Sequence, residues 1–451
     1  MLKRFSILIL ASALLLTATP SVAQLPAKLD SIVQTYTGLG EFNGTVLVAQ
    51  RGKILLNKGY GLADQDKASP NKPETIFGIA SITKTFTSTL VLKLAEQKKL
   101  AISDKINKYF PELRNCGSIT IGHLLSHTSG ISDRAIEEKF RNVDLTAKTL
   151  EEKLMIELDK TPLALIPGTT FSYSNRGYYL LGYLIAKITN MSYEQAVSAY
   201  ILKPYRLKNS GFDFAALPQN QRAKGYWAEN GKNYDKETPL NDPRITFAAG
   251  ALYSTVGDLY RWHQVLQQGK FISEKSQDLA YKKYSPTYGY GFQIDSVNGQ
   301  QLVSHSGGFW GFRSNFARIP KDDICVILLS NHEVSGLGEI TRNLLQAVYH
   351  LPVKLPVKRI PVQVSREILE RYTGNYEISA PPLKLEVKLE EKGLVVYPFQ
   401  GPKSELAALD ASHFYDMLQE SIEITFEEQN GEKQMRIKIN GNERIALKKG
   451  E

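Results

Sequence analysis

The chain has 451 residues, of which 42% are hydrophobic and 22% charged, and it carries a formal net charge of +9. That length exceeds what a single hydrophobic core usually organises, so two folded units are expected and the composition excludes a disordered chain. The lysines are scattered rather than gathered into a stripe with aromatic residues, which argues against a nucleic-acid partner.

The first segment reads Met1-Leu2-Lys3-Arg4, then an apolar stretch over residues 5–16, then the small residues Ser21-Val22-Ala23. Residues 1–23 are expected to be a signal peptide. The apolar run is shorter than the roughly 20 residues that span a bilayer, and no later run is long enough. The expected product is therefore exported, periplasmic or secreted, and free of the membrane. Loss of Lys3 and Arg4 takes the charge from +9 to +7, and a mild positive excess suits an anionic envelope polymer as neighbour. Cys116 lies in a loop-like Asn-Cys-Gly and Cys325 in an apolar run; both are expected to stay unpaired.

Residues 45–49 and 54–57 flank Gln50-Arg51-Gly52-Lys53 and read as a β-hairpin, so strands are expected to open the mature unit. From Ser81 the pattern turns helical, with Ile82, Phe86, Leu90 and Leu94 at intervals of four until the charged residues 96–99. A second amphipathic helix fits 178–188 through Leu181, Leu184 and Ile185. Strands return at 301–304, 311–319 and 325–330, the last two around the turn Pro320-Lys321-Asp322-Asp323. Helices set between early and late strands indicate a mixed α/β or α+β unit over 24–350. Pro352, Pro356 and Pro361 make 351–365 an extended linker. Beyond it, 383–387, 394–397, 422–426, 435–439 and 445–447 read as short strands of a small barrel or sandwich over 366–451.

Three blocks can carry chemistry. Ser81-Ile82-Thr83-Lys84 stands at a helix start, where a serine and a lysine three residues on share a face and the amine reaches the hydroxyl it must deprotonate. Free N–H groups there can hold a developing oxyanion. Ser69-Pro70-Asn71-Lys72 has the same spacing, but Pro70 and Asn71 make it a turn; taken alone, Ser81 reads as a helix cap. Tyr173-Ser174-Asn175 follows Pro167-Gly168 and precedes the second helix. An acylating serine needs a proton for its leaving group, and a phenol or phenolate beside an ammonium supplies one. Unperturbed Tyr and Lys pKa values both lie at about 10, so proximity and burial must move at least one toward the working pH. Asn175 would donate to a substrate carbonyl and orient the lysine. His305-Ser306-Gly307-Gly308 follows the strand at 301–304, where small residues let a substrate backbone approach and the Gly308 N–H completes an oxyanion hole. A lone Gly-Gly would read as a bulge.

Together and in this order, the blocks resemble the Ser-x-x-Lys, Tyr-x-Asn and Lys-Thr-Gly motifs of class C β-lactamases and related D-Ala-D-Ala peptidases and esterases. His123-Leu124-Leu125-Ser126-His127-Thr128-Ser129-Gly130, Ala249-Gly250-Ala251-Leu252-Tyr253-Ser254-Thr255 with Asp258, and Tyr288-Gly289-Tyr290-Gly291 extend the resemblance over about 25–349. The tail, opening Tyr372-Thr373-Gly374-Asn375-Tyr376, resembles the lipocalin-like β-domain appended to such hydrolases.

The resemblance implies an α+β fold, an antiparallel sheet with flanking helices and an all-helical part, followed by a small all-β unit. It implies that Ser81 attacks an amide or ester carbonyl, that Lys84 and Tyr173 move protons, and that the N–H groups of Ser81 and Gly308 hold the oxyanion. Asn175, His305, Ser306 and Gly307 would contact substrate, with no cofactor and no metal. His305 stands where β-lactamases have lysine, which shifts weight toward D-amino-acid peptides or small esters and leaves β-lactams third. Because histidine is partly charged near neutral pH, binding of a substrate carboxylate is expected to weaken as pH rises. His123 and His127, four apart, read as part of a structural turn rather than a metal site. The alternative of another class is a non-catalytic receptor or sensor on the same fold, which would not need Lys84 and Tyr173 together.

Overall fold

The structure, a computed structural model, describes residues 24–133, 147–228, 234–239, 243–334, 336–357, 359–379, 382–398, 403–417, 422–429, 431–439 and 442–449. The expected signal peptide lies outside the described residues.

Six strands form one antiparallel sheet: β1 (Gly44–Gln50), β2 (Lys53–Tyr60), β3 (Gln293–Val297), β4 (Gln300–Phe309), β5 (Phe312–Ile319) and β6 (Ile324–Ser330), in the order β2-β1-β6-β5-β4-β3. The first hairpin closes over Arg51 and Gly52, whose φ values of 49° and 75° are what a tight two-residue turn requires. β6 is buried along its whole length. Its alternate residues feed two cores: Ile324, Val326 and Leu328 on one face, Cys325, Ile327 and Leu329 on the other. A strand covered on both sides reads as a continuous apolar run, as this one does. Both cysteines are buried and unpaired.

One expectation is corrected at the outset. A helix, α1 (Gln24–Gly38), precedes the first strand, and strands do not open the unit. Leu29, Ile32, Val33 and Tyr36 recur at helical spacing and are buried beside the outer face of the sheet, together with α5 (Leu337–Val348). The inner face carries the helical part: α2 (Thr83–Glu96), α3 (Asn175–Thr189) and α4 (Val256–Gln267). α2 is buried nearly all round despite its polar sequence, because its hydroxyls are satisfied on its own turn. Thr83, Thr85 and Thr89 donate to the carbonyls of Ala80, Ile82 and Thr85 at 2.7, 2.8 and 2.7 Å.

The tail closes into a barrel of eight antiparallel strands, β7 (Gly374–Ser379), β8 (Pro382–Glu390), β9 (Gly393–Pro398), β10 (Ser404–Ala408), β11 (His413–Asp416), β12 (Ile422–Gln429), β13 (Glu432–Ile439) and β14 (Asn442–Lys448). β7, β10 and β11 are strands that the alternation of the sequence does not reveal. Tyr376, Phe414, Phe426 and Met435 are packed together inside the barrel. The proline-rich segment before it has neither helix nor strand in its described residues up to Ser365; the Val362 N–H donates to Ala408 O at 2.9 Å, and Arg359 pairs with Glu423 at 2.6 Å.

The helix that begins at the Ser81 turn is seated by Phe86, 1% exposed, which stacks on Trp262 of α4 at 5.0 Å. Phe86→Ala is expected to cost about 3–5 kcal/mol, the usual loss for an aromatic cavity. Denaturant unfolding followed by tryptophan fluorescence would measure it.

Candidate active site

Ser81 occupies a tight 3-10 turn, Ala80–Ile82, that leads into α2. Ala80 has φ 45°, a left-handed conformation that costs a non-glycine residue about 1 kcal/mol or more. The turn is held by its neighbours: the Ile79 N–H donates to Leu252 O at 2.9 Å, and Ser314 Oγ donates to Ile79 O at 2.8 Å. Ser69, with the same spacing to a lysine, lies in a two-residue strand and not at a helix start.

One turn beyond Ser81, at the start of α2, Lys84 is fully buried. Its Nζ lies 3.1 Å from Ser81 Oγ, 2.9 Å from Asn175 Oδ1 and 2.8 Å from Ala249 O. Burial lowers its pKa to about 7, and the Asp133 carboxylate pulls the other way. A neutral amine has two hydrogens and one lone pair. The two carbonyl oxygens can only accept, so they take both hydrogens and leave the lone pair for the Ser81 hydroxyl.

Tyr173 keeps 38% of its surface exposed, yet its hydroxyl sits beside Ser81 among packed groups that raise its pKa, burial being the main cause. It is a phenol and not a phenolate at neutral pH. Of the two groups, Lys84 is the one moved toward the working pH. The Lys84 ammonium position lies 4.8 Å from the Tyr173 ring centre, a cation-π distance.

Asn175 opens α3, and Asp133 fixes that helix end. The carboxylate accepts from Ser174 Oγ at 2.7 Å, Asn175 N at 2.6 Å and Arg176 N at 3.1 Å, which satisfies orphan donors of the first turn. No local pattern in the sequence marks Asp133, because its partners lie more than 40 residues away. The Ala249 carbonyl is likewise legible only by resemblance, since a backbone oxygen leaves no mark in a sequence.

The third block runs inside β4, not after a strand as the sequence suggested. β3 pairs β4 only as far as Ser304, whereas β5 stays paired to Phe309. From His305 to Phe309 the outer edge of β4 therefore has no described strand beside it. Gly307 is where β4 meets the Ser81 turn: a Cβ there would lie 2.4 Å from Ile79 O and 3.1 Å from Ser81 N. Ser306 and Gly308 are exposed, on the side of the strand away from that contact.

His305 corrects an expectation. It is 1% exposed, and burial holds its pKa at about 3, with the Lys84 charge adding to the effect. Its Nδ1 is 2.6 Å from Ser306 O and its Nε2 2.8 Å from Tyr288 Oη. A carbonyl can only accept, so the proton sits on Nδ1 and Nε2 receives the Tyr288 hydroxyl. The imidazole is neutral through the physiological range and engaged on both nitrogens, so it offers a substrate carboxylate no titrating charge. His123 caps the short helix Ile121–Leu125, and no group of metal-ligating side chains exists among the described residues.

A family model described as beta-lactamase matches residues 29–350. The chain belongs to the beta-lactamase family. The penicillin-binding protein PbpX of Bacillus subtilis, so described, is 30% identical over 307 residues, covering 68% of this chain and 75% of PbpX. Among solved structures, the octameric penicillin-binding protein homologue from Pyrococcus abyssi superposes with a TM-score of 0.66 at 25% identity, covering 93% of this chain and 99% of that one. FmtA from Staphylococcus aureus gives a TM-score of 0.61 at 25% identity, covering 75% and 93%. The chain is thus a serine hydrolase of the beta-lactamase family on an α+β fold, with a β-barrel after it.

If neutral Lys84 is the base, kcat/KM for a simple ester should rise with pH through about 7 and level off above it. Asp133→Asn removes the charge that favours the ammonium, so that limb should move to lower pH. A pH–rate profile of both proteins checks the midpoint and the sign of the shift.

Proposed function

We propose that the chain is an exported hydrolase that works through an acyl-enzyme at Ser81 on amide or ester bonds, with D-amino-acid peptides and small esters as its substrate classes. The observation that carries this reading is the environment of Lys84: an amine stripped of water, with two carbonyls fixing its hydrogens and its lone pair left to a serine hydroxyl. A structural lysine has no use for that arrangement, and neither has a ligand receptor.

The contacts of Ser81 and Lys84 support the following steps. Ser81 Oγ attacks the substrate carbonyl as its proton passes to Lys84 Nζ. The oxyanion that forms is held by the N–H groups of Ser81 and Gly308, a reading supported by the closeness of Gly307 to the Ser81 turn. Collapse breaks the bond to the leaving group, which takes a proton from the Tyr173 phenol, and the Lys84 ammonium restores that proton. Water then enters in the reverse sequence and releases the acyl group. The open edge of β4 accepts an extended substrate backbone beside Ser306 and Gly308, as sheet edges do.

The neutral, engaged His305 supports neutral esters and peptides over β-lactams, whose carboxylate gains from a fixed charge. Export is supported by Lys3 and Arg4 before the apolar run and by Ala23 after it. An anionic envelope polymer is the proposed neighbour, in keeping with the positive charge.

A fluorescent phosphonate should label Ser81, located by peptide mass spectrometry, and labelling that persists in Ser81→Ala would sink the mechanism. Lys84→Ala should lower turnover of nitrophenyl acetate by about 1000-fold or more; a wild-type protein without turnover would favour the receptor alternative. The ratio of KM values for a carboxylate-bearing ester and its neutral analogue should follow the same pH dependence between pH 5.5 and 8 in the wild type and in His305→Gln, because Lys84 titrates in that range and His305 does not.

A further inference from the structure

Tyr173 must present its phenol to Ser81 from residues 171–174, which belong to no helix or strand. Such a loop has no hydrogen-bond ladder to fix it, and a proton donor that wanders by an ångström loses much of its effect.

One residue grips this loop on both sides of the tyrosine. The His127 carbonyl accepts the Ser172 N–H at 2.8 Å, and the His127 Nδ1 accepts the Ser174 N–H at 3.0 Å. Between these bonds the imidazole lies against the Tyr173 ring, centres 4.2 Å apart and planes tilted by 32°. His127 has φ 56°, a left-handed conformation that histidine adopts more readily than bulkier residues; with it, main chain and ring reach two N–H groups of one segment.

The histidine is itself boxed in. The rings of Tyr178 and Tyr288 stand 5.0 and 4.8 Å away, and the surrounding turn takes further bonds from the same loop, Gly168 N–H to Thr128 O at 2.8 Å and Ala164 N–H to Gly130 O at 2.9 Å. Because Nδ1 accepts, the proton is on Nε2. That nitrogen is buried and has no hydrogen-bond partner among the described residues. An unsatisfied buried donor costs stability, and a phenylalanine here would avoid the cost. What phenylalanine lacks is the Nδ1 acceptor.

We infer that His127 is the positioning residue that clamps Tyr173 in its proton-donating place, an inference that rests on the hydrolase reading above. His127 touches no reacting atom. Its effect should appear in the chemical step and not in substrate affinity.

Two variants separate its parts. His127→Phe keeps the stack and the volume but leaves the Ser174 N–H unpaired. His127→Asn places an acceptor oxygen where Nδ1 was and gives up the stack. With both shown to be folded by thermal melting, His127→Phe should lower kcat for nitrophenyl acetate and for phosphonate labelling of Ser81 by about 10- to 100-fold, with KM within about twofold. His127→Asn should recover about tenfold of that loss. Crystal structures of both variants read the clamp without turnover: the Tyr173 ring should be displaced in His127→Phe and kept in His127→Asn. An unmoved ring and unchanged kcat in folded His127→Phe would overturn the inference and leave the hydrolase reading standing. A displaced ring in a protein whose wild type neither turns over ester nor takes the label would keep the clamp and overturn the hydrolase reading.

Discussion

A sheet edge and a helix start share one site here only because nothing larger than hydrogen stands at position 307. A Cβ at Gly307 would crowd the Ile79 carbonyl oxygen and the Ser81 nitrogen, so only glycine lets β4 lie this close to the turn. It brings β4 against the turn that carries the serine. Ser314 ties the next strand to the same carbonyl, so the turn rests on two strands. The left-handed Ala80 is tolerated because these bonds leave it no other place to go.

What was legible in the sequence followed from how local the cause was. The Arg51-Gly52 hairpin and the helix from Ser81 are written in neighbouring residues, and both appear in the structure. α1 was equally local, with Leu29, Ile32, Val33 and Tyr36 in helical register, but it stands close behind the apolar run of residues 5–16 and its stripe is easily passed over. The barrel strands β10 and β11 are too short for alternation to show. Asp133 and the Ala249 carbonyl act over long separations in the chain, where no spacing rule reaches. His305 shows a different limit: residue type suggested a titrating charge, whereas burial and two fixed partners, which only tertiary structure supplies, remove it.

The electrostatics of the cleft divide accordingly. The Lys84 amine beside the serine is buried and weakly basic, the phenol beside it is held protonated, and two imidazoles, His127 and His305, are kept neutral by burial and by the Lys84 charge. Asp133 is the counterweight, bound to the start of α3 and acting on Lys84 through space. The side chain of Arg313 lies over Gly308 but is paired with Glu333, so it is no free charge for a substrate. Proton transfer, rather than charge attraction, is what this arrangement provides.

The burial of Lys84 also ties the fold to the proton activity of its surroundings. In the unfolded chain the amine would hold its proton up to about 10.5, and in the folded protein only to about 7. Between those values the unfolded state binds more protons, so stability rises with pH across the interval and the benefit is gone once pH falls to about 7. The full difference is of the order of 5 kcal/mol, comparable with the whole stability of a domain. Acidification from alkaline pH down to about 7 therefore weakens the fold through Lys84, and below that value, where the amine carries its proton in both states, this group adds no further loss.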